Sequence, residues 1–217
     1  MKNFEFLLEG LMKTLLLSVC CIIIALILGV IIGALQSSRK KNIVSVLARG
    51  YAELFRGLPL VITLFMVFFI LPEFGIQVNS FISAMLALSV WSSANISIAV
   101  RGAIQSIPPT QVEASLALGL SNFQTMRFVI LPQAFRRVLP SMISLISNLI
   151  QSTSLSVLIG NTDFLKSAQI LIERVEIMEG GTIAFQVYAF VIVVYFIICY
   201  PLSILAKKME KRMSVTL

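Results

Sequence analysis

Five uncharged stretches set the rhythm of this chain. Thr14–Leu35, Gly57–Pro72, Phe74–Val100, Val138–Thr162 and Gly180–Ala206 hold 22, 16, 27, 25 and 27 residues without an Asp, Glu, Lys or Arg. As a helix the first is about 33 Å long, enough to cross a hydrocarbon core. The second is too short to do so alone. Its helix is expected to begin earlier, near Ala48–Glu53, with that end at the membrane interface. The pattern predicts an all-α membrane protein with five transmembrane helices. The first stretch is expected to stay as a span: its apolar run exceeds that of a signal peptide, and the residues before it (Lys2, Glu5, Glu9, Lys13) are charge-balanced.

Composition agrees with the pattern. Of 217 residues, 58% are hydrophobic and 12% charged, against roughly a quarter charged in a soluble domain. That excludes a water-soluble globule, a disordered chain and a nucleic-acid-binding domain. The net charge of +7 then needs another source. Alternate loops supply it: Arg39, Lys40, Lys41, Arg49, Arg56, Arg101, Arg127, Arg136, Arg137, Lys207, Lys208, Lys211 and Arg212 fall on one side, 13 of the 17 basic residues. The positive-inside rule places that side in the cytoplasm, so the N-terminus is expected outside and the C-terminus inside. There is no His. Cys20, Cys21 and Cys199 lie in apolar runs without metal-ligand spacing, as packing residues do. No Gly precedes a Lys, so a phosphate-binding P-loop is absent. An enzyme is a poor description of such a chain.

The loop from 107 to 137 carries the most information. After Ile107-Pro108-Pro109 comes Thr110-Gln111-Val112-Glu113, a capping-box pattern. The helix it predicts runs to Leu118, with Gly119 placed for a left-handed C′ residue. A second box, Ser121-Asn122-Phe123-Gln124, predicts another helix, expected to stop near Ile130 because Pro132 disfavours helical geometry at Leu131. Val112, Leu116, Leu118, Leu120, Phe123 and Met126 make this αα-turn too apolar to face water: the loop either folds back on its own transmembrane bundle or, as is expected here, docks in another protein's groove.

Glu113-Ala114-Ser115, three residues, Gly119, nine residues, Val129, one residue and Leu131-Pro132 resemble the EAA loop of ABC importer permeases, EAA-x3-G-x9-I-x-LP. Ser115 and Val129 are the two departures. Arg56-Gly57-Leu58-Pro59, Arg101-Gly102 and Ser154-Leu155-Ser156-Val157-Leu158-Ile159-Gly160 extend the likeness to the polar amino-acid uptake subgroup, over essentially the whole chain. The resemblance implies a type I ABC importer permease fold, one transmembrane domain over 1–217, in the bacterial cytoplasmic (inner) membrane. It implies a second permease subunit (the same or a related chain), an ABC ATPase dimer, an external substrate-binding protein and surrounding membrane lipid, with no nucleic acid. ATP and Mg would sit in the partner ATPase and no cofactor in this chain. Glu113, Ala114, Ser115, Gly119, Leu131 and Pro132 would couple to the ATPase.

Polar residues inside a span are costly, so they point to a pathway. The fourth stretch offers Ser144, Asn148, Gln151, Ser152 and Ser154, the third Ser92, Ser93 and Asn95. These are expected to hydrogen-bond an amino acid, with the serines divided between that role and helix packing. Gly29-x3-Gly33 is assigned to packing. Where chains resembling this one carry a Glu before Arg101-Gly102, Ile98 stands here; where they carry a Lys-acid pair, Gln151 and Ser152 stand. A neutral polar cargo such as glutamine or cystine is therefore expected, acidic cargo also being compatible, and a cationic one disfavoured. The competing class is a self-sufficient secondary transporter or channel, against which stand the odd span count and the lack of acids in the uncharged cores.

Overall fold

The computed structural model describes residues 2–37 and 42–214, and every regular element among them is helical. The Arg39-Lys40-Lys41 cluster lies outside the described residues. The helices are α1 (Lys2–Gln36), α2 (Ile43–Gly57), α3 (Leu60–Glu73), α4 (Ser80–Gln105), α5 (Pro109–Ala117), α6 (Asn122–Ile159), α7 (Phe164–Glu179) and α8 (Ala184–Ser214). Four of them, α1, α4, α6 and α8, are long and apolar enough to cross a membrane. The pair α2 and α3, bent by 105°, makes a fifth candidate if counted as one span.

That bend corrects the expectation of a helix running through from Ala48–Glu53. Pro59 follows Leu58, which adopts an extended φ of −83° and ψ of 136° and ends α2. α2 then lies apart from the span, with Ser45, Ala48 and Ala52 buried and Ile43, Leu47 and Leu54 exposed. The short uncharged run is accommodated by breaking the helix, not by extending it.

The main core sits between α1, α3, α4 and α6, around Leu17, Cys21, Leu64, Leu88, Ile96 and Leu149. α1 and α4 share the most extensive contact in the molecule. Glycine makes it possible, as expected for the Gly29-x3-Gly33 pattern. A Cβ on Gly29 would stand 2.6 Å from Ile96, and one on Gly33 2.6 Å from Val100. At the end of the seam Gln36 Nε2 donates to Ser97 Oγ (2.9 Å) and Arg49 donates to the Gln36 carbonyl (3.3 Å). A cation at that carbonyl suits the negative end of the α1 dipole. The cysteines stand where packing residues belong, Cys21 and Cys199 buried and Cys20 half-buried.

α7 is absent from the reading by uncharged stretches, because Lys166, Glu173, Arg174, Glu176 and Glu179 interrupt it. Its signals are an N-cap, a C′ glycine and apolar spacing. Asp163 accepts from the Lys166 N–H, Gly180 closes the other end, and Phe164, Ala168, Leu171, Ile172 and Val175 fall at helical intervals. This face meets Leu7 of α1 and Val187 and Val191 of α8 in a second core.

Candidate functional site

α5 and the start of α6 form a corner closed by backbone and capping hydrogen bonds. Gly119 has φ +82°, and its N–H reaches the Leu116 carbonyl (3.0 Å) while that of Leu120 reaches Ser115 (3.1 Å). These two bonds are a Schellman motif, as the position of Gly119 predicts. The next two residues turn into α6, where Ser121 and Gln124 form the reciprocal capping box expected of them, at 2.8 and 3.2 Å. The first expected box is not formed. α5 starts at Pro109, with Pro108 as its N-cap and no side-chain cap bond, so Thr110 already lies within the helix. Pro at the first position needs no N–H partner and has the right φ, and it moves the start forward.

Pro132 corrects a second expectation, since the helix does not stop at Ile130. A π turn over Thr125–Ile130 leads directly into helical Leu131, at φ −59° and ψ −42°, and α6 continues. The wider turn makes room for a ring that lacks an N–H. Gln133 follows the proline. Its Nε2 donates to Val129 O (2.8 Å) and to Gln111 Oε1 (2.7 Å), tying α6 to α5. Arg137 donates to the Ser106 carbonyl (2.9 Å) and hydroxyl (3.0 Å), tying α6 to the end of α4. Gln111, Gln133, Ser106 and Arg137 were not singled out from the sequence; no local spacing pairs residues 22 or 31 apart.

The corner therefore has a held side and a free side. Ser115 is buried, donating to Gln111 O (2.6 Å), and Val112 and Val129 pack on the core. Glu113, Ala114, Gly119, Leu131 and Pro132 are exposed. Leu116, Leu118 and Phe123 project apolar surface, Leu118 at 83% and Phe123 at 71% exposure. This is a hydrogen-bonded knob whose apolar tip is uncovered among the described residues.

The polar residues of the two spans separate. On α6, Ser141, Ser144, Asn148 and Gln151 share one exposed face. Ser152 donates to Asn148 Oδ1 (3.2 Å), and Ser154 to the Gln151 carbonyl (2.7 Å). On α4 the serines are inside the bundle. Ser93 is within 2.7 Å of the Tyr51 hydroxyl of α2, and Ser92 is buried without a hydrogen-bond partner among the described residues. Asn95 is half-buried, donating to Trp91 O (2.9 Å) and keeping its carbonyl oxygen available.

Residues 16–215 match the family described as binding-protein-dependent transport system inner membrane component. The chain belongs to that family. It is similar to the probable glutamine ABC transporter permease protein GlnP of Bacillus subtilis, 34% identical over 211 residues, covering 97% of this chain and 95% of the relative. It is also similar to the glutamate/aspartate import permease protein GltK of Escherichia coli O157:H7, 33% identical over 218 residues, covering 97% and 94%. Among solved structures, an amino acid ABC transporter crystallised with histidines superposes with a TM-score of 0.84 at 27% identity, covering 97% of this chain and 95% of the other. The MetNI methionine ABC transporter shares the fold, with a TM-score of 0.76 at 21% identity over 96% of both chains. The protein is thus an inner-membrane transport component with the type I ABC importer permease fold.

Proposed function

We propose that this chain is the permease subunit of an ATP-driven importer of polar amino acids, with a separate ATPase docked on the α5–α6 corner. The observation that carries this reading is the corner itself. Its apolar tip has no partner among the described residues, while polar bonds fix its base to α4 and α6. A force on Glu113, Leu116 or Leu118 is then transmitted to the spans, not absorbed by a flexible loop. ATP and Mg belong to the partner, and the N-terminus lies outside.

The exposed α6 face is the second support. Ser144, Asn148 and Gln151 would be left against lipid unless covered, and uncovered polar side chains in hydrocarbon are unfavourable. A second permease subunit, the same or a related chain, closes the pathway over this face. It holds no charged residue, so it suits a neutral polar amino acid such as glutamine, delivered by an external binding protein. Purification from the native membrane tests the assembly: a stoichiometric P-loop ATPase is expected, and a chain that purifies alone and moves solute in liposomes would be a stand-alone carrier. Asn148→Leu tests the pathway. Uptake should fall about tenfold with the ATPase still bound, and normal uptake would remove the α6 stripe from the route.

A further inference from the structure

The joint between α6 and α7 buries a carboxylate that faces no cation among the described residues. The last turns of α6, Thr153–Ile159, are a 3-10 helix, and α7 starts four residues beyond Gly160. Asp163 lies between them, past the end of the span, at 0% exposure. Its Oδ1 accepts from the Lys166 N–H (2.8 Å) and its Oδ2 from the Ser156 hydroxyl (3.2 Å), which itself accepts from Asn161 Nδ2 (3.0 Å). α1 contributes Thr14, whose Oγ1 accepts from the Phe164 N–H (2.9 Å) and donates to Gly10 O (3.2 Å). From α8 the ionisable neighbour is Tyr195, a neutral phenol where carboxyls titrate, and no cation is among the groups acting on Asp163.

We infer that Asp163 is a positioning residue for translocation: its buried, hydrogen-bonded carboxyl group ties the 3-10 end of α6 to the start of α7, which Thr14 in turn ties to α1, and exposure of that group to water is part of the change of state that moves Gln151 and Ser154. This rests on the pathway reading above. An isolated buried charge held by neutral donors is better solvated in water than in protein. The ionised acid therefore biases the joint toward opening, and a proton on it locks the joint. Burial raises the carboxyl to about 6, against the pull of the Lys166 N–H and the Ser156 hydroxyl, which places the change within reach of ordinary external pH.

Two readouts on the assembled transporter test this. The first is amide hydrogen exchange over residues 153–163, corrected for intrinsic rates. Protection should fall at least tenfold from pH 5 to 7.5 in the wild type. Asp163→Asn, a neutral isostere, should stay flat, at or above the wild-type protection at pH 5. Ser156→Ala, which removes one donor to the charged form, should move the midpoint upward. A flat wild-type profile, or an Asn variant that follows the wild type, overturns the inference. The second is uptake of glutamine into proteoliposomes with the internal pH fixed. The ratio of wild-type to Asp163→Asn rate should shrink as external pH drops through about 6, and Asp163→Glu should restore the response. Exchange that responds while the Asn variant transports like wild type at every pH overturns the positioning role and leaves the permease reading standing. Failure of every variant and the wild type to take up glutamine counts against the permease reading, and the exchange data still decide the joint.

Discussion

The two ends of α6 are built by opposite rules. At the α5 corner the apolar side chains Leu116, Leu118 and Phe123 are outside, and polar bonds stabilise the backbone beneath them. At the α7 joint the polar groups are inside, with Asp163, Ser156, Asn161 and Thr14 enclosed by two apolar cores. The corner is hydrogen-bonded at its base and apolar at its exposed tip. The joint is complete but strained electrostatically, because its acid is satisfied by hydrogen bonds alone. A transporter needs both: a stiff element to receive a push, and a place nearer the pathway where two states lie close in free energy.

Substitutions can break this contrast, beginning with the corner. Gly119→Pro removes the N–H bonded to Leu116 and cannot adopt φ +82°, a local cost of about 3 kcal/mol or more. Uptake should drop to background with the spans still inserted; normal uptake by this variant would end the docking assignment.

At the joint the expected effect is a pH dependence of stability. A carboxyl whose folded pKa is raised from 3.8 to about 6 stabilises the fold fully below the lower value and loses that contribution as pH rises through about 6. Thermal unfolding in detergent should therefore show Asp163 contributing on the order of 2 kcal/mol more at pH 4 than at pH 7. The Asp163→Asn variant should lack that slope.

Gln133→Leu sharpens the question of stiffness. It deletes the bonds to Gln111 and Val129, worth about 1 kcal/mol each. It should lower the uptake obtained per ATP hydrolysed without releasing the ATPase; unchanged coupling would show that the α5–α6 tie is dispensable. The smallest effect belongs to Ser121→Ala. It loses one N-cap bond at an exposed site, at about 0.5–1 kcal/mol, seen as faster exchange at Gln124 and little change in uptake.

The contrast also divides what was legible in the chain. Gly119, the Ser121–Gln124 box and the Gly29-x3-Gly33 seam were readable because each depends on residues within one turn or on the absence of a side chain. Pro59 and Pro132 show the limit of such reading. Both disfavour helix at the preceding residue, yet the first breaks a helix by 105° and the second is taken up in a π turn. Neighbours decide between these outcomes, since Gln133, Gln111 and Val129 hold α6 together across Pro132.

The sequence by itself determined the membrane class, five uncharged stretches of which four are long apolar helices, the glycine joint and the family pattern. Each follows from composition and short-range spacing, where hydropathy and φ preferences act residue by residue. Only the tertiary structure decided that Ser92 and Ser93 of α4 lie inside the bundle while the α6 stripe is exposed, and that α7 exists as a packed helix. It alone also decided that Asp163 is buried beside Thr14, whose hydroxyl meets a backbone amide 150 residues away. Burial and long-range hydrogen bonds depend on which surfaces meet. That is settled by the packing of whole helices, and no local window of sequence contains it.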